Sequence, residues 1–178
     1  MSAFLKRRLP ATNEIFLALS MAAFLIFSWS LRTLFYDVPA FLLSYTLVEV
    51  LSIAAYMLAF ALLETLAITI AAVFLAAILP GVILRDGFSY KASFLFIALG
   101  AISVHLQMVM TNQPKINFLL LELGRGLAVW LVLVLLTRFA AAIRKIVLDV
   151  LDRMTIFSYI YVPLGVLSLI VVIVRLLW

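Results

Sequence analysis

A largely apolar run over residues 41–84 constrains the fold of this chain more than any other feature. The run has no glycine or proline before Pro80, and Glu64 lies well inside it. A helix needs only about 20 apolar residues to cross the roughly 30 Å of hydrocarbon in a bilayer. The run is therefore too long and too apolar for a soluble core helix. It predicts a chain that lies in a membrane and keeps at least one ionisable group there.

The composition agrees with this interpretation. Hydrophobic residues make up 68% of the chain and charged residues 12%, against about 45–50% and about 25% in soluble domains. Segments such as 129–136 lack the alternation of apolar and polar residues that a membrane β-barrel requires. We predict an all-α, polytopic transmembrane helix bundle that forms a single integral membrane domain over residues 1–178.

The apolar segments are separated by polar residues, prolines and glycines. They predict spans at about 15–35, 41–84, 92–110, 116–136 and 156–177. Asn13 is the expected N-cap of the first span. The segment 36–39 is expected to end that span, because Pro39 lacks a backbone N–H and disfavours helical angles at Val38.

The second segment is about twice the length that one span needs, so two interpretations remain open. It forms one long or strongly tilted helix, or a helical hairpin that turns near Glu64 and Thr65, which would give six spans. The segment 41–79 has no Gly, Pro, Asn or Asp to make such a turn.

The distribution of basic residues favours five spans. Cytoplasmic segments of multi-pass proteins carry an excess of Lys and Arg. With five spans and a cytoplasmic N-terminus, the inner segments hold Lys6, Arg7, Arg8, Arg85, Lys91, Arg138, Arg144, Lys145 and Arg153. The outer side holds only Lys115 and Arg175, whereas six spans would place the basic segment 138–153 outside.

Segment 138–154 is amphipathic at helical spacing. We expect a separate cytoplasmic amphipathic helix, either on the leaflet surface or as a docking helix for a soluble partner. Its basic residues are the candidate contacts to anionic lipids or to an acidic partner: Arg138, Arg144, Lys145 and Arg153.

Six ionisable residues fall within the predicted spans: Arg32, Glu49, Glu64, His105, Glu122 and Arg125. A charge in hydrocarbon costs about 2.5–3.5 kcal/mol on insertion scales, so such residues usually face protein or water. Glu122 and Arg125 are spaced to pair on one helix face, as a structural ion pair or as part of an anion or lipid-headgroup site. Glycines 124 and 126 beside Arg125 predict close approach of another helix.

Glu49 and Glu64 share one broad helix face, which we expect to be turned towards protein. Glu64 would then be neutral or hydrogen-bonded within the bundle, or would relay a proton or cation. His105 is the only histidine. It is expected to be a packing residue, with a role as single axial ligand of a haem or chlorophyll as the alternative.

The sequence carries no motif of a known catalytic or nucleotide-binding site and no cysteine. We therefore predict no metal site, no cofactor and no enzymatic activity. The predicted function is a non-catalytic membrane subunit that scaffolds or stabilises a larger complex. Its predicted partners are other membrane protein subunits and anionic lipids, not nucleic acid. The alternatives are a transporter component with Glu64, His105 and Arg125 lining a cavity, or a lipid-processing membrane enzyme.

The charge asymmetry predicts that the N-terminus is cytoplasmic and that the C-terminal end lies on the opposite side. A reporter that is active only in the cytoplasm should be inactive when fused after Trp178 and active when fused before Met1. An active reporter after Trp178 would contradict the five-span topology.

Overall fold

Five helices account for nearly all of the chain that the structure describes. The structure is a computed structural model that describes residues 8–109, 116–139 and 141–177. The helices are α1 Thr12–Ser44, α2 Leu47–Ile78, α3 Phe88–Val109, α4 Ile116–Phe139 and α5 Ala141–Leu177. Within the described ranges there is no strand, and all 5 helices are long and apolar enough to cross a membrane. The predicted all-α, five-span fold is confirmed, and it fits a multi-pass membrane protein.

The first helix begins and ends at different residues from those predicted. It starts at Thr12 with Ala11 as an N-cap that makes no side-chain hydrogen bond, so Asn13 is not the cap. It also continues through Pro39 to Ser44. The prediction of a break at 36–39 is wrong, because a proline removes one helix hydrogen bond and membrane helices tolerate that loss.

The actual break lies at Tyr45 and Thr46. The side chain of Thr46 accepts a hydrogen bond from the Glu49 backbone N–H at 3.5 Å. The Glu49 carboxylate in turn accepts one from the Thr46 N–H at 2.8 Å. This reciprocal capping box satisfies free amides at the first turn of α2. Residues 41–44 therefore belong to α1, and α2 takes only part of the predicted segment 41–84.

Helix α2 runs through Glu64 without a turn, so the six-span hairpin is wrong. The hydroxyl of Thr65 donates to the Ala61 carbonyl at 2.7 Å, and that of Thr69 donates to the Thr65 carbonyl at 2.7 Å. Both hydroxyls therefore have hydrogen-bond acceptors within the continuous helix. Helix α2 ends at Ile78, just before Pro80.

The predicted amphipathic segment is not a separate helix. Residues 138 and 139 end α4, and residues 141–154 form the first turns of α5, which continues through Pro163 as one helix of 37 residues. At 1.5 Å per residue this helix is about 55 Å long, so its first part is continuous with the predicted span. The residues on this part that face the bundle are Val147, Leu148, Leu151 and Met154.

Residues 111–115 between the predicted third and fourth spans, the basic residues Lys6 and Arg7, and the side chain of Arg138 lie outside the described parts.

The helices are arranged around α1 and α5. Helices α1, α2 and α5 pack on one another, α3 packs mainly on α1 and α4, and α4 contacts α3 and α5. Helices α2 and α4 therefore lie on different sides of the bundle.

Small residues and aromatic rings make the interfaces between α1, α2 and α5. The Ser20 hydroxyl donates to the Ser158 hydroxyl at 3.2 Å, which links α1 to α5. Phe27 stacks on Tyr161 with ring centroids 5.1 Å apart. Ten alanines are buried along α1, α2 and α3: Ala18, Ala22, Ala23, Ala55, Ala59, Ala61, Ala72, Ala76, Ala92 and Ala98. Such small residues let membrane helices approach closely.

Gly165 lies where α1, α2 and α5 meet. A Cβ at this glycine would lie 2.8 Å from the Cβ of Leu62 and 2.9 Å from the Cζ of Phe27. Phe27 is fully buried, so its ring has little room to move aside. The absence of a side chain at Gly165 is what brings the three helices into contact.

Gly165→Ala should therefore destabilise the bundle by about 1–3 kcal/mol, the usual cost of overpacking a tight interface. The measurement is the midpoint of thermal unfolding of the purified protein in one detergent. Gly124→Ala is the matched control, because a Cβ there would meet nothing within 4 Å. Equal unfolding midpoints for the two variants would contradict the tight junction.

Candidate functional site

Glu64 lies near the middle of α2. At 1.5 Å per residue it is about 21 Å from Ile78 and about 26 Å from Leu47 along the helix axis. Its side chain is exposed on the surface of the bundle. The expectation that this face packs against protein is not met at Glu64 within the described residues, since its side chain remains exposed. Within the described residues its carboxylate has no hydrogen bond or ion pair.

A groove between α1 and α2 contains Glu64. It has a volume of about 360 Å³ and is lined by Ser30, Ile53, Tyr56, Met57, Phe60, Ala61 and Glu64. Phe60 remains 61% exposed, so the groove opens to the outside of the bundle. One carboxylate and two hydroxyls thus stand in an otherwise apolar groove at mid-span.

Glu49 does not join Glu64 in a polar network. Its carboxylate accepts hydrogen bonds from the backbone N–H of Thr46 at 2.8 Å and from the Thr46 hydroxyl at 2.9 Å. The structure places Glu49 in the first turn of α2, at the end of the helix. The signal that sequence analysis missed is the Thr-x-x-Glu spacing, which marks a capping box even inside an apolar run.

The structure brings Glu122 and Arg125 together on α4. The Arg125 Nη1 donates to Glu122 Oε1. The Glu122 side chain is 7% exposed, whereas that of Arg125 is 63% exposed. The buried carboxylate is thus held by a guanidinium whose remaining N–H groups face outward. Arg125 is about 14 Å along the axis from Ile116, so it lies well inside the span.

Of the two glycines beside Arg125, only Gly126 makes the predicted helix contact. A Cβ at Gly126 would overlap Ile102 of α3. Gly124 is exposed, with open space around the position of a Cβ. The Gly126 contact packs α4 against α3, and Gly124 leaves a gap in the outer surface beside Arg125.

The other intramembrane candidates lie apart from these two sites. Arg32 is exposed on α1, and its guanidinium carbon lies 4.9 Å from the centre of the Trp29 ring. His105 is exposed on α3. The described residues contain no group of three side chains able to hold a metal ion. A single axial haem or chlorophyll ligand at His105 stays a prediction.

A polar cluster that sequence analysis missed joins the first turns of α1 and α3. Lys91 is buried, and its Nζ donates to the Val82 carbonyl at 2.7 Å. The backbone carbonyl of Lys91 accepts from Trp130 Nε1 at 2.9 Å, which attaches α4. The Glu14 carboxylate lies beside the backbone N–H of Phe88. The signal was Lys91 itself, a charge beside an apolar span, which we interpreted only as a mark of topology.

The predicted docking residues of α5 are exposed at the same end of the bundle. Arg144 and Lys145 are exposed, and Arg153 Nε donates to Asp149 Oδ2 at 3.1 Å. Arg144 also lies within electrostatic range of Glu14. The basic charge is therefore available at the surface, and part of it also stabilises the cluster at the start of α1.

No protein-family model, curated protein or solved structure matches this chain. The function has to be argued from the residues. Their geometry presents opposite charges at the bundle surface: a carboxylate on α2, and a guanidinium on α4 that is already bound to a buried carboxylate.

Arg125→Ala should lower the yield of folded protein, because it leaves the buried Glu122 carboxylate without its partner. A buried carboxylate that loses its counter-charge destabilises the fold. The double variant Glu122→Gln with Arg125→Gln should recover part of that yield. The measurement is the amount of monodisperse protein after size-exclusion chromatography.

Arg153→Ala is the matched control, since its partner Asp149 is 63% exposed. An exposed pair contributes about 0–1 kcal/mol, so this variant should behave as wild type. A wild-type yield for Arg125→Ala would mean that Glu122 needs no counter-charge.

Proposed function

We propose that this chain is a non-catalytic subunit of an integral membrane assembly, in which it scaffolds or stabilises other membrane-spanning helices. The observation that carries the proposal is the outward direction of Glu64 at the middle of α2. A carboxylate in a surface groove at that depth is well placed to be covered by a further helix.

Leaving the Glu64 carboxylate exposed to lipid is energetically costly. A charged side chain near the bilayer centre costs about 2.5–3.5 kcal/mol on insertion scales, and a hydrogen-bonding partner on a neighbouring helix reduces that cost. Glu64 has no such partner among the described residues of its own chain. A partner from another polypeptide would supply it, which supports a role in assembly.

The surface chemistry supports the same role. Large apolar side chains are exposed along α4 and α5. Such a surface can contact either lipid or the helices of other subunits. At the end predicted to be cytoplasmic, Arg144, Lys145 and Arg153 are exposed. Each such charge near an anionic membrane surface contributes about 1 kcal/mol of attraction. Anionic lipid or an acidic partner at this end is therefore part of the proposal.

A transporter component is the second candidate, and the groove around Glu64 favours it. The groove holds a carboxylate together with the hydroxyls of Ser30 and Tyr56. These are oxygen ligands suited to a proton or a hard cation. The position of the groove argues against a transporter, because the groove lies on the outside of the bundle. Another subunit would have to supply a second wall to enclose a transport path.

Extraction from native membranes with surrounding lipid should recover the chain in an assembly larger than its own 19.9 kDa. Glu64→Gln should reduce the recovered assembly, because a neutral amide binds a cationic or donor partner less strongly than a carboxylate does. The measurement is the mass and composition of the extracted particles.

Glu49→Gln is the matched control on the same helix. Its carboxylate caps α2, and Gln also serves in a capping box, so the assembly should persist. Recovery of a lone monomer for the wild type and both variants would overturn the assembly role. Ion uptake by vesicles holding that monomer would support the transporter instead.

A further inference from the structure

Two outward-facing groups of opposite charge lie on different helices of the same chain. We propose that Arg125 on α4 of one copy binds Glu64 in the groove of a second copy, so that copies of this chain associate head to tail. The inference deepens the proposed function, because it names a second copy as the partner that covers Glu64.

The depth of Glu64 follows from the junction of α1, α2 and α5. A Cβ at Gly165 would touch both Leu62 and Phe27, so these residues lie at one level in the bundle. Glu64 follows Leu62 by two positions, which is about 3 Å along the axis towards the predicted cytoplasmic side.

The depth of Arg125 in the bundle follows from the contact between its neighbour Gly126 and α3. The Glu14 carboxylate lies beside the backbone N–H of Phe88, which sets the start of α3 level with the start of α1. Ile102 is about 21 Å from Phe88 along α3, whereas Phe27 is about 20 Å from Glu14 along α1. Because Gly126 lies against Ile102, Arg125 is also level with Phe27. Arg125 and Glu64 thus match in depth to within about one to two helical turns of 5.4 Å.

The positions of α2 and α4 rule out a bond within one copy and permit a chain of copies. Helix α2 packs on α1 and α5, whereas α4 packs on α3 and α5, so the two charges face different sides of the bundle. One copy can therefore use both surfaces at once. A contact between two different surfaces is heterologous, and it forms a ring when the rotation closes.

The surfaces also match in shape and direction. Exposed Gly124 and Ala128 stand four residues apart beside Arg125. A small-xxx-small pair of this kind allows another helix to approach closely. Successive spans alternate in direction, so α2 and α4 run parallel. When Glu64 meets Arg125 in parallel register, Phe60 lies level with Leu121, and both are exposed.

The guanidinium of Arg125 has further N–H donors that could bind a second carboxylate. Arginine carries five N–H donors in a planar fork. Arg125 uses Nη1 for Glu122, and its side chain is still 63% exposed. One guanidinium can therefore hold the buried carboxylate of its own helix and Glu64 of the next copy, which shields both from hydrocarbon.

The test uses the purified full chain in lipid nanodiscs or vesicles, with two populations carrying different fluorophores. Energy transfer between them measures self-association. We expect Glu64→Gln alone, or Arg125→Gln alone, to weaken association by about tenfold or more, since each breaks a buried charge pair. Glu49→Gln should associate as wild type.

Mixing the two defective populations gives the decisive result. A Glu64→Gln copy keeps Arg125, and an Arg125→Gln copy keeps Glu64, so one intact contact remains between them. The mixture should form dimers and no larger species. Should Arg125→Gln fold poorly, the double variant Glu122→Gln with Arg125→Gln replaces it. Failure of the mixture to associate, with both populations folded, would overturn the head-to-tail contact.

A cross-linking arm tests the register. The chain has no cysteine, so cysteines can be placed singly. A Phe60→Cys copy mixed with a Leu121→Cys copy should form a disulfide-linked dimer on oxidation. Phe60→Cys mixed with Ile170→Cys, an exposed position on α5, should not. A cross-link only in the second mixture would overturn the proposed surface.

The two proposals fail in different ways. A monomeric purified chain, together with a larger assembly from native membranes, would overturn the second-copy contact and leave the subunit role in place. A lone monomer in both preparations would overturn both.

Discussion

The contact of Gly165 with Leu62 and Phe27 is the point on which the arrangement of this bundle depends. It joins α1, α2 and α5 at the middle of the bundle, where any side chain larger than hydrogen would separate them. Inside a bilayer the hydrophobic effect does not drive helices together, so close packing and hydrogen bonds must do so. The Ser20–Ser158 hydrogen bond and the stacked rings of Phe27 and Tyr161 extend this packing along α1 and α5.

Helices α3 and α4 are attached by polar contacts at the other side of α1. The buried Lys91 donates to the Val82 carbonyl, and its own carbonyl receives the indole N–H of Trp130. The Glu14 carboxylate lies beside the Phe88 N–H at the edge of this cluster. Each group is satisfied by another helix or loop, which is how charged residues persist near the boundary of a membrane domain. By contrast, Glu64 and the exposed part of Arg125 have no such role inside the bundle.

That contrast connects the fold to the proposed function. Polar side chains that hydrogen-bond to another helix or loop help to hold the five helices together. Glu64 and Arg125 instead face outward near the middle of their helices. The same chain presents a carboxylate on one side and a guanidinium on another, at similar depth. An assembly of copies or partner subunits is the arrangement in which both charges would be shielded from lipid.

The membrane class, the five helices and the Glu122–Arg125 pair could all be predicted from the amino-acid sequence. These depend on local patterns: length of apolar runs, charge asymmetry, and spacing by three along a helix. The sequence also contained the Thr46–Glu49 capping box, which apolar neighbours obscured. Three features could not be read from local patterns: Pro39 lies inside α1, most of the amphipathic segment is continuous with α5, and Glu64 faces outward. Those outcomes depend on which helix packs against which, because a span that is apolar on nearly every face does not specify the face it buries.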